Sequence, residues 1–261
     1  MKKRFYYLVK VQFLGFRYHG WQKQPNGLKT IEGMLMKTLK FVLGPRPLKV
    51  LGAGRTDALV SANEAFFELF LFDEPLGSMD GFLKEFNLNL PADIRGLGIE
   101  ATDAKFNIIQ HSKLKEYLYL FSFGGKNHPF CASLMTNIHA DLDILKMKKA
   151  AKLFEGHHNF KVYCTQPNEN KQFDREVITC ELIENELFTA SFFPKESYIL
   201  RVHGKGFMRN QVRLMMGALF LVGKGEIDLD FISASLLPGS NLKMTYVAPA
   251  SGLMLNKVQF E

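Results

Sequence analysis

The sequence predicts an α+β protein made of two βαββαβ halves that share an antiparallel sheet around a central cleft. Three observations predict it. Short runs with period-two alternation, rich in aromatic and β-branched residues, are interleaved with stretches whose apolar positions follow helical spacing. The order strand, helix, strand, strand, helix, strand is readable before residue 105 and approximately again after it, which is the ferredoxin-like split unit. Hydrophobic residues make up 47% of 261 positions, enough for one large core or two ordinary ones. The predicted halves are 1–105 and 106–261, with the seam near Asp103–Ser112.

Phe5–Phe13 alternates and reads as a strand. The loop Gly15–Lys29 follows, carrying Tyr18-His-Gly-Trp21-Gln22-Lys-Gln24. Thr30 opens a helix with Ile31, Met34, Leu35, Leu39 and Val42 at helical spacing, stopped by Gly44-Pro45. Pro47–Leu51 and Ala65–Phe72 read as strands, Met79–Asn87 as a helix burying Phe82, Leu83 and Phe86, and Ile94–Ala101 as a strand. In the second half Leu114–Phe123 is a strand with Tyr117, Tyr119, Phe121 and Phe123 on one face. Asp143 begins a helix with Ile144, Met147, Ala151 and Phe154 inward and Lys146, Lys149 and Lys152 outward, ended by Gly156. Strands at Glu176–Ile183 and at Phe188–Phe193 or Tyr198–Val202 lead to a helix from about Gly206 to Val222. A strand at Leu253–Phe260 closes the chain.

The charge suits a protein that meets a polyanion, although many cytosolic enzymes carry a similar excess. Thirty-three basic against 26 acidic residues give a net charge of +7. The basic residues cluster at Lys2-Lys3-Arg4, at Lys146/Lys148/Lys149/Lys152 and at Arg201/Lys205/Arg209/Arg213. The longest apolar runs are too short to cross a bilayer and the N-terminus has no signal-peptide pattern, so neither membrane nor secretion is expected. Cys131, Cys164 and Cys180 are far apart and in no metal or redox spacing, which fits reduced thiols in the cytoplasm. His128 and His157-His158 lack the companions of a metal site, so no metal is expected. There is no P-loop, dinucleotide fingerprint or Gly-x-Ser-x-Gly elbow.

Two stretches carry candidate chemistry. Between the strands at 47–51 and 65–72 lies Leu51-Gly-Ala-Gly-Arg55-Thr-Asp57-Ala-Leu-Val-Ser-Ala-Asn63, with glycines for a tight turn and with Arg55 and Asp57 two positions apart. The residues fit a catalytic carboxylate beside a guanidinium; they also fit an ordinary turn with an ion pair, and alone the turn is the commoner case. The second stretch is the helix near 206–222, almost wholly apolar from Leu214 on, with Arg209 and Arg213 four apart on one face. An arginine on the rim of a buried helix favours a carboxylate or phosphate. A structural acid elsewhere fits, and so does Asp57 together with RNA phosphate.

Taken together in order, these segments resemble the tRNA pseudouridine synthase A family over nearly the whole chain. Gly54-Arg-Thr-Asp-Ala58 is similar to its signature loop and Gly20-Trp-Gln-Lys-Gln-Pro25 to its first loop. Asn87-Leu-Asn-Leu-Pro-Ala-Asp-Ile94 resembles the crossing segment and Lys115-Glu-Tyr-Leu-Tyr119 the Arg-x-Tyr-x-Tyr strand. Gly156-His-His-Asn-Phe160, Phe207-Met-Arg-Asn-Gln-Val-Arg213 with Gly217, and Ala248-Pro-Ala-Ser-Gly-Leu253 follow in the family's order.

The resemblance implies the pseudouridine synthase fold and isomerisation of uridine to pseudouridine in tRNA, the anticodon stem-loop foremost, without cofactor. It implies that Asp57 is the catalytic carboxylate, as nucleophile or as base for the C5 proton. Arg213 stands at the position of the arginine paired with it, which would keep the acid ionised away from water. Tyr117 falls where the family stacks an aromatic ring on the target uracil. Arg55 falls where the target nucleotide is held out of its helix, a step needed because neither C1′ nor C5 is reachable in a stack. Lys115, Arg209, Trp21 and Gln22 are the further expected RNA contacts, and a homodimer with tRNA across both subunits is implied.

The departures are specific. Where the family continues Asp-Ala-Gly-Val-His-Ala, this chain has Asp57-Ala-Leu59-Val-Ser61-Ala62. Leu59 replaces a conformationally free glycine and Ser61 an aromatic donor. Phe106-Asn-Ile-Ile109 stands for Phe-His-Ala-Arg, and Lys115 for an arginine with a better phosphate fork. Two alternatives follow: the same chemistry at a different RNA site, or an RNA-binding paralogue without catalysis.

Overall fold

The computed structural model describes residues 3–25, 27–167 and 172–260; Lys2 of the first basic cluster lies outside the described residues. The chain divides into two compact units, one formed by residues up to Lys113 and from Leu255 onward, the other by Leu114–Met254.

The first unit runs β1 (Phe5–Phe13), α1 (Ile31–Leu43), β2 (Leu48–Gly52), β3 (Ser61–Leu71), α2 (Met79–Asn89) and β4 (Ile94–Thr102), which is the expected βαββαβ order. β1 pairs antiparallel with both β3 and β4, and β2 pairs antiparallel with β3. Each helix starts where the sequence offers an oxygen. The Thr30 side chain accepts from the Gly33 N–H, and that of Ser78 from the Gly81 N–H. Such caps each stabilise a helix by about 1 kcal/mol. The helices bury Leu35, Leu39, Phe82 and Phe86 on one side of the sheet, with Phe86 against Phe67 of β3.

The second unit runs β5 (Ser112–Phe123), β6 (Thr136–Ile138), α3 (Ile144–Lys152), β7 (Gly156–Asn159), β8 (Asp174–Glu184), β9 (Tyr198–Gly204), α4 (Gln211–Gly223) and α5 (Leu229–Ser235). Its sheet order is β5-β9-β8-β7, antiparallel throughout, with β6 added parallel to β5. Tyr119 and Phe121 of β5 meet Phe220 of α4 edge-on. On the opposite flank, a Cβ at Gly223 would fall 2.6 Å from Met147 Sδ of α3. Squeezed between sheet and helix, α4 is buried nearly all round, hence its apolar sequence. The chain ends in β10 (Leu253–Phe260), whose residues from Leu255 on belong to the first unit beside β3.

Several expectations are corrected. Of the two candidate strands before α4, only Tyr198 onward forms one; Phe188, Phe192 and Phe193 pack against a cluster around Leu118, Leu120 and Ile199. The strands β6 and β7 and helix α5 are too short to leave a periodic pattern. Gly156 does not end α3 but opens β7 at φ +109°. Helix α4 begins at Gln211 rather than near Gly206, so Arg209 and Arg213 do not share a helical face. The reason is local: the Gln211 Oε1 accepts from the Met208 N–H and Asn210 turns to φ +59°, closing the chain into a turn before the helix. No helix among the described residues is long and apolar enough to cross a membrane.

Candidate active site

In the first unit two loops are laced together. The loop after β2 carries Arg55 and Asp57; the loop after β1 carries Trp21 and Gln22. The Trp21 N–H donates to the Thr56 carbonyl at 3.1 Å, and the Leu59 N–H to the Tyr18 carbonyl at 3.0 Å. The Gly15 N–H donates to the Ser61 hydroxyl at 2.9 Å. Glycines make this closeness possible. At Gly20, φ is +92° and a Cβ would sit 2.8 Å from the Thr56 carbonyl oxygen; at Gly15 it would sit 2.0 Å from that of Val60. Asp57 therefore stands on a short segment held on both sides, half-buried, with its own carbonyl accepting from the Val60 N–H at 3.3 Å.

Trp21 is 4% exposed; its ring lies over Gly52, where a Cβ would meet it at 2.6 Å, and near Phe13. Trp21, expected as an RNA contact, has its ring filling the space beneath the loop. Gln22 and Arg55 are exposed. Beneath the same loop the Tyr18 hydroxyl donates to Asp93 at 2.6 Å, and burial foremost pushes its pKa up.

The two departures in the signature loop have structural accounts. Leu59 adopts φ +68°, the left-handed conformation that a glycine would take freely. Ser61, 2% exposed, anchors the first loop through Gly15. The Ile108 N–H donates to the carboxylate of Glu68, which is 2% exposed on β3 and whose pKa burial raises. Through this bond the segment around Ile108 and Ile109 is fastened to the sheet.

In the second unit Tyr117 lies on β5 opposite Val202, half-buried, with the Phe207 ring edge-on at 5.3 Å and 89°. Lys115 precedes it on the same face, and burial lowers its pKa. Arg213, on the first turn of α4, is held by its Nε donating to the Ala248 carbonyl at 2.8 Å and its Nη1 donating to Asn210 Oδ1 at 2.9 Å. Gly217 lets α4 approach the chain that carries this carbonyl, for a Cβ there would fall 2.0 Å from the Tyr246 oxygen. Arg209 is exposed and donates to Gln166 at 3.3 Å.

The candidate residues thus sort by unit: Asp57, Arg55 and Gln22 on two interlocked loops of the first, Tyr117, Lys115, Arg213 and Arg209 in the second. Sequence reasoning gave no role to Phe207 or Asn210, although both lie in the segment that resembles the family; neither is titratable, and only packing reveals them.

Residues 150–261 match a family described as tRNA pseudouridine synthase. The chain is 31% identical to "tRNA pseudouridine synthase A 2" of Bacillus cereus over 97% of its own length and 99% of the relative's. It is likewise 31% identical, with the same coverage, to "tRNA pseudouridine synthase A" of Bacillus sp. strain KSM-64. With the protein of that name from Acinetobacter baumannii it shares 29% identity over 95% of this chain and 89% of the other.

Proposed function

The chain belongs to the tRNA pseudouridine synthase A family, and from that premise we propose that Asp57 is the carboxylate through which it works. The protein is an isomerase that converts uridine to pseudouridine in tRNA. The reaction breaks the N1–C1′ bond, rejoins C1′ to C5, releases the C5 proton and returns one to N1. A carboxylate serves such a sequence as a nucleophile toward the sugar or as the base at C5. The observation that carries the reading is the similarity over the full chain together with an acid on a doubly braced loop.

Arg213 takes the part of the arginine that acts with the acid, and the bonds donated by its Nε and Nη1 fix its direction. Tyr117 stacks on the extruded uracil, with Phe207 holding its ring. Arg55, Gln22, Lys115 and Arg209 contact the RNA, and Trp21 supports the loop from below. The anticodon stem-loop is the target, the working form is a homodimer, and the buried thiols Cys131, Cys164 and Cys180, outside any disulfide, suit the cytoplasm.

The test is tritium release from C5-labelled uridine in bulk tRNA. Wild type is expected to release it and Asp57→Ala to release none; equal release from both would end the assignment of Asp57. Mapping pseudouridines in tRNA treated with the enzyme decides the anticodon assignment.

A further inference from the structure

We propose that Asn210 is a positioning residue for Arg213, a role that rests on the part given to Arg213 above. Four helices open on a side chain that accepts from the helix's own N–H groups: Thr30, Ser78, Asp143 and Asp228. Asn210 occupies the same place before α4 and makes no such bond. Its carbonyl accepts from the Leu214 N–H at 2.8 Å, so it starts the helix, while its backbone stands at φ +59°. In that conformation the amide is turned away from the helix end. Oδ1 accepts from Arg213 Nη1 at 2.9 Å, and Nδ2 donates to Thr165 Oγ1 at 3.1 Å.

The chemistry of the partners fixes which way the amide faces. A guanidinium only donates, so the oxygen must face it; the nitrogen is left for a hydroxyl that can accept. Thr165 is itself tied back by its N–H and hydroxyl to the Arg209 carbonyl, each at 3.4 Å. The result is a bracket in which a left-handed residue gives up the usual cap and directs an arginine instead. A strained backbone retained at such a point is expected where geometry matters to chemistry.

The test separates backbone from amide. Asn210→Gly keeps the positive φ at no steric cost and removes both bonds; Asn210→Asp keeps an oxygen toward Arg213. Under single-turnover conditions with tRNA, Asn210→Gly is expected to lose about tenfold or more in rate, the scale on which misplaced groups act. Its Kd for tRNA and its Tm should stay near wild type, and Asn210→Asp should recover most of the lost rate. Arg213→Ala is measured alongside. A loss in Arg213→Ala without one in Asn210→Gly overturns the role of Asn210 alone; a wild-type rate in Arg213→Ala removes the role of Arg213 as well. A loss in Asn210→Gly matched by a fall in Tm or tRNA affinity, or no recovery in Asn210→Asp, also overturns it.

Discussion

Leu59 donates its backbone N–H to the carbonyl of Tyr18 at 3.0 Å while its φ is +68°. The bond ties the segment after Asp57 to the first loop while the backbone of Leu59 stands in the left-handed region. A leucine in that conformation costs about 1–2 kcal/mol against glycine. Part of the relief would be offset by glycine's greater freedom in the unfolded chain, about 0.5–1 kcal/mol. Leu59→Gly is therefore expected to raise stability by about 0.5–1 kcal/mol in urea melts. Leu59→Val, β-branched in the same conformation, is expected to lower it. A Leu59→Gly variant less stable than wild type would mean that the exposed leucine side chain contributes more than its backbone costs.

Gly20 is the counterpart on the first loop. Alanine there would combine φ +92° with a Cβ 2.8 Å from the Thr56 carbonyl oxygen, one residue before Asp57. Strain and overlap together are expected to cost about 2–3 kcal/mol of stability. The displaced backbone should also slow single-turnover isomerisation more than it weakens tRNA binding. Wild-type kinetics in Gly20→Ala would show that the loop can give way without moving Asp57.

The signature loop shows what the sequence could and could not say. Its glycines, its acid and its flanking strands were legible because turns and alternation leave local marks. That Leu59 takes the left-handed conformation was not, for a side chain's presence reads as lost freedom and the bond to Tyr18 joins residues far apart in sequence. The periodic elements α1, α2 and α3 were legible from their apolar spacing, and Thr30 and Asp143 from their capping chemistry. The start of α4 was misread because an apolar helix gives no phase, and Asn210 resembles an ordinary cap. The burial of Trp21 leaves no local mark, for a lone tryptophan in a polar loop shows nothing of the room that Gly52 makes for it.

Glu68 gives a pH-dependent prediction. It is buried on β3, and desolvation foremost raises its pKa above the ordinary 4.5, against the lowering effects of the Ile108 N–H and the Lys49 charge. Between the ordinary value and the raised one, the folded protein binds more protons at this group than the unfolded chain does. Stability attributable to Glu68 therefore falls as pH rises through that window. Glu68→Gln keeps an oxygen for the Ile108 N–H and removes the charge. It is expected to be more stable than wild type at about pH 8, with the difference shrinking as pH falls below the carboxylate range. A difference independent of pH, measured by denaturant melts across the range, would place the effect in packing rather than ionisation.

Gly204 controls the ring that braces Tyr117. A Cβ at this position would fall 2.9 Å from Phe207 Cζ and 3.1 Å from the Glu176 carbonyl oxygen. The backbone oxygen lies in the β8–β9 ladder and cannot yield, so Phe207 must move, and with it the edge-on contact at 5.3 Å. Such a contact contributes about 0.5–1.5 kcal/mol beyond burial. Gly204→Ala is thus expected to loosen Tyr117 and lower kcat severalfold. Tyr117→Phe, which keeps the ring and loses only the hydroxyl, should stay closer to wild type. If Gly204→Ala isomerises tRNA at the wild-type rate while Tyr117→Ala does not, the ring of Tyr117 needs no brace from Phe207.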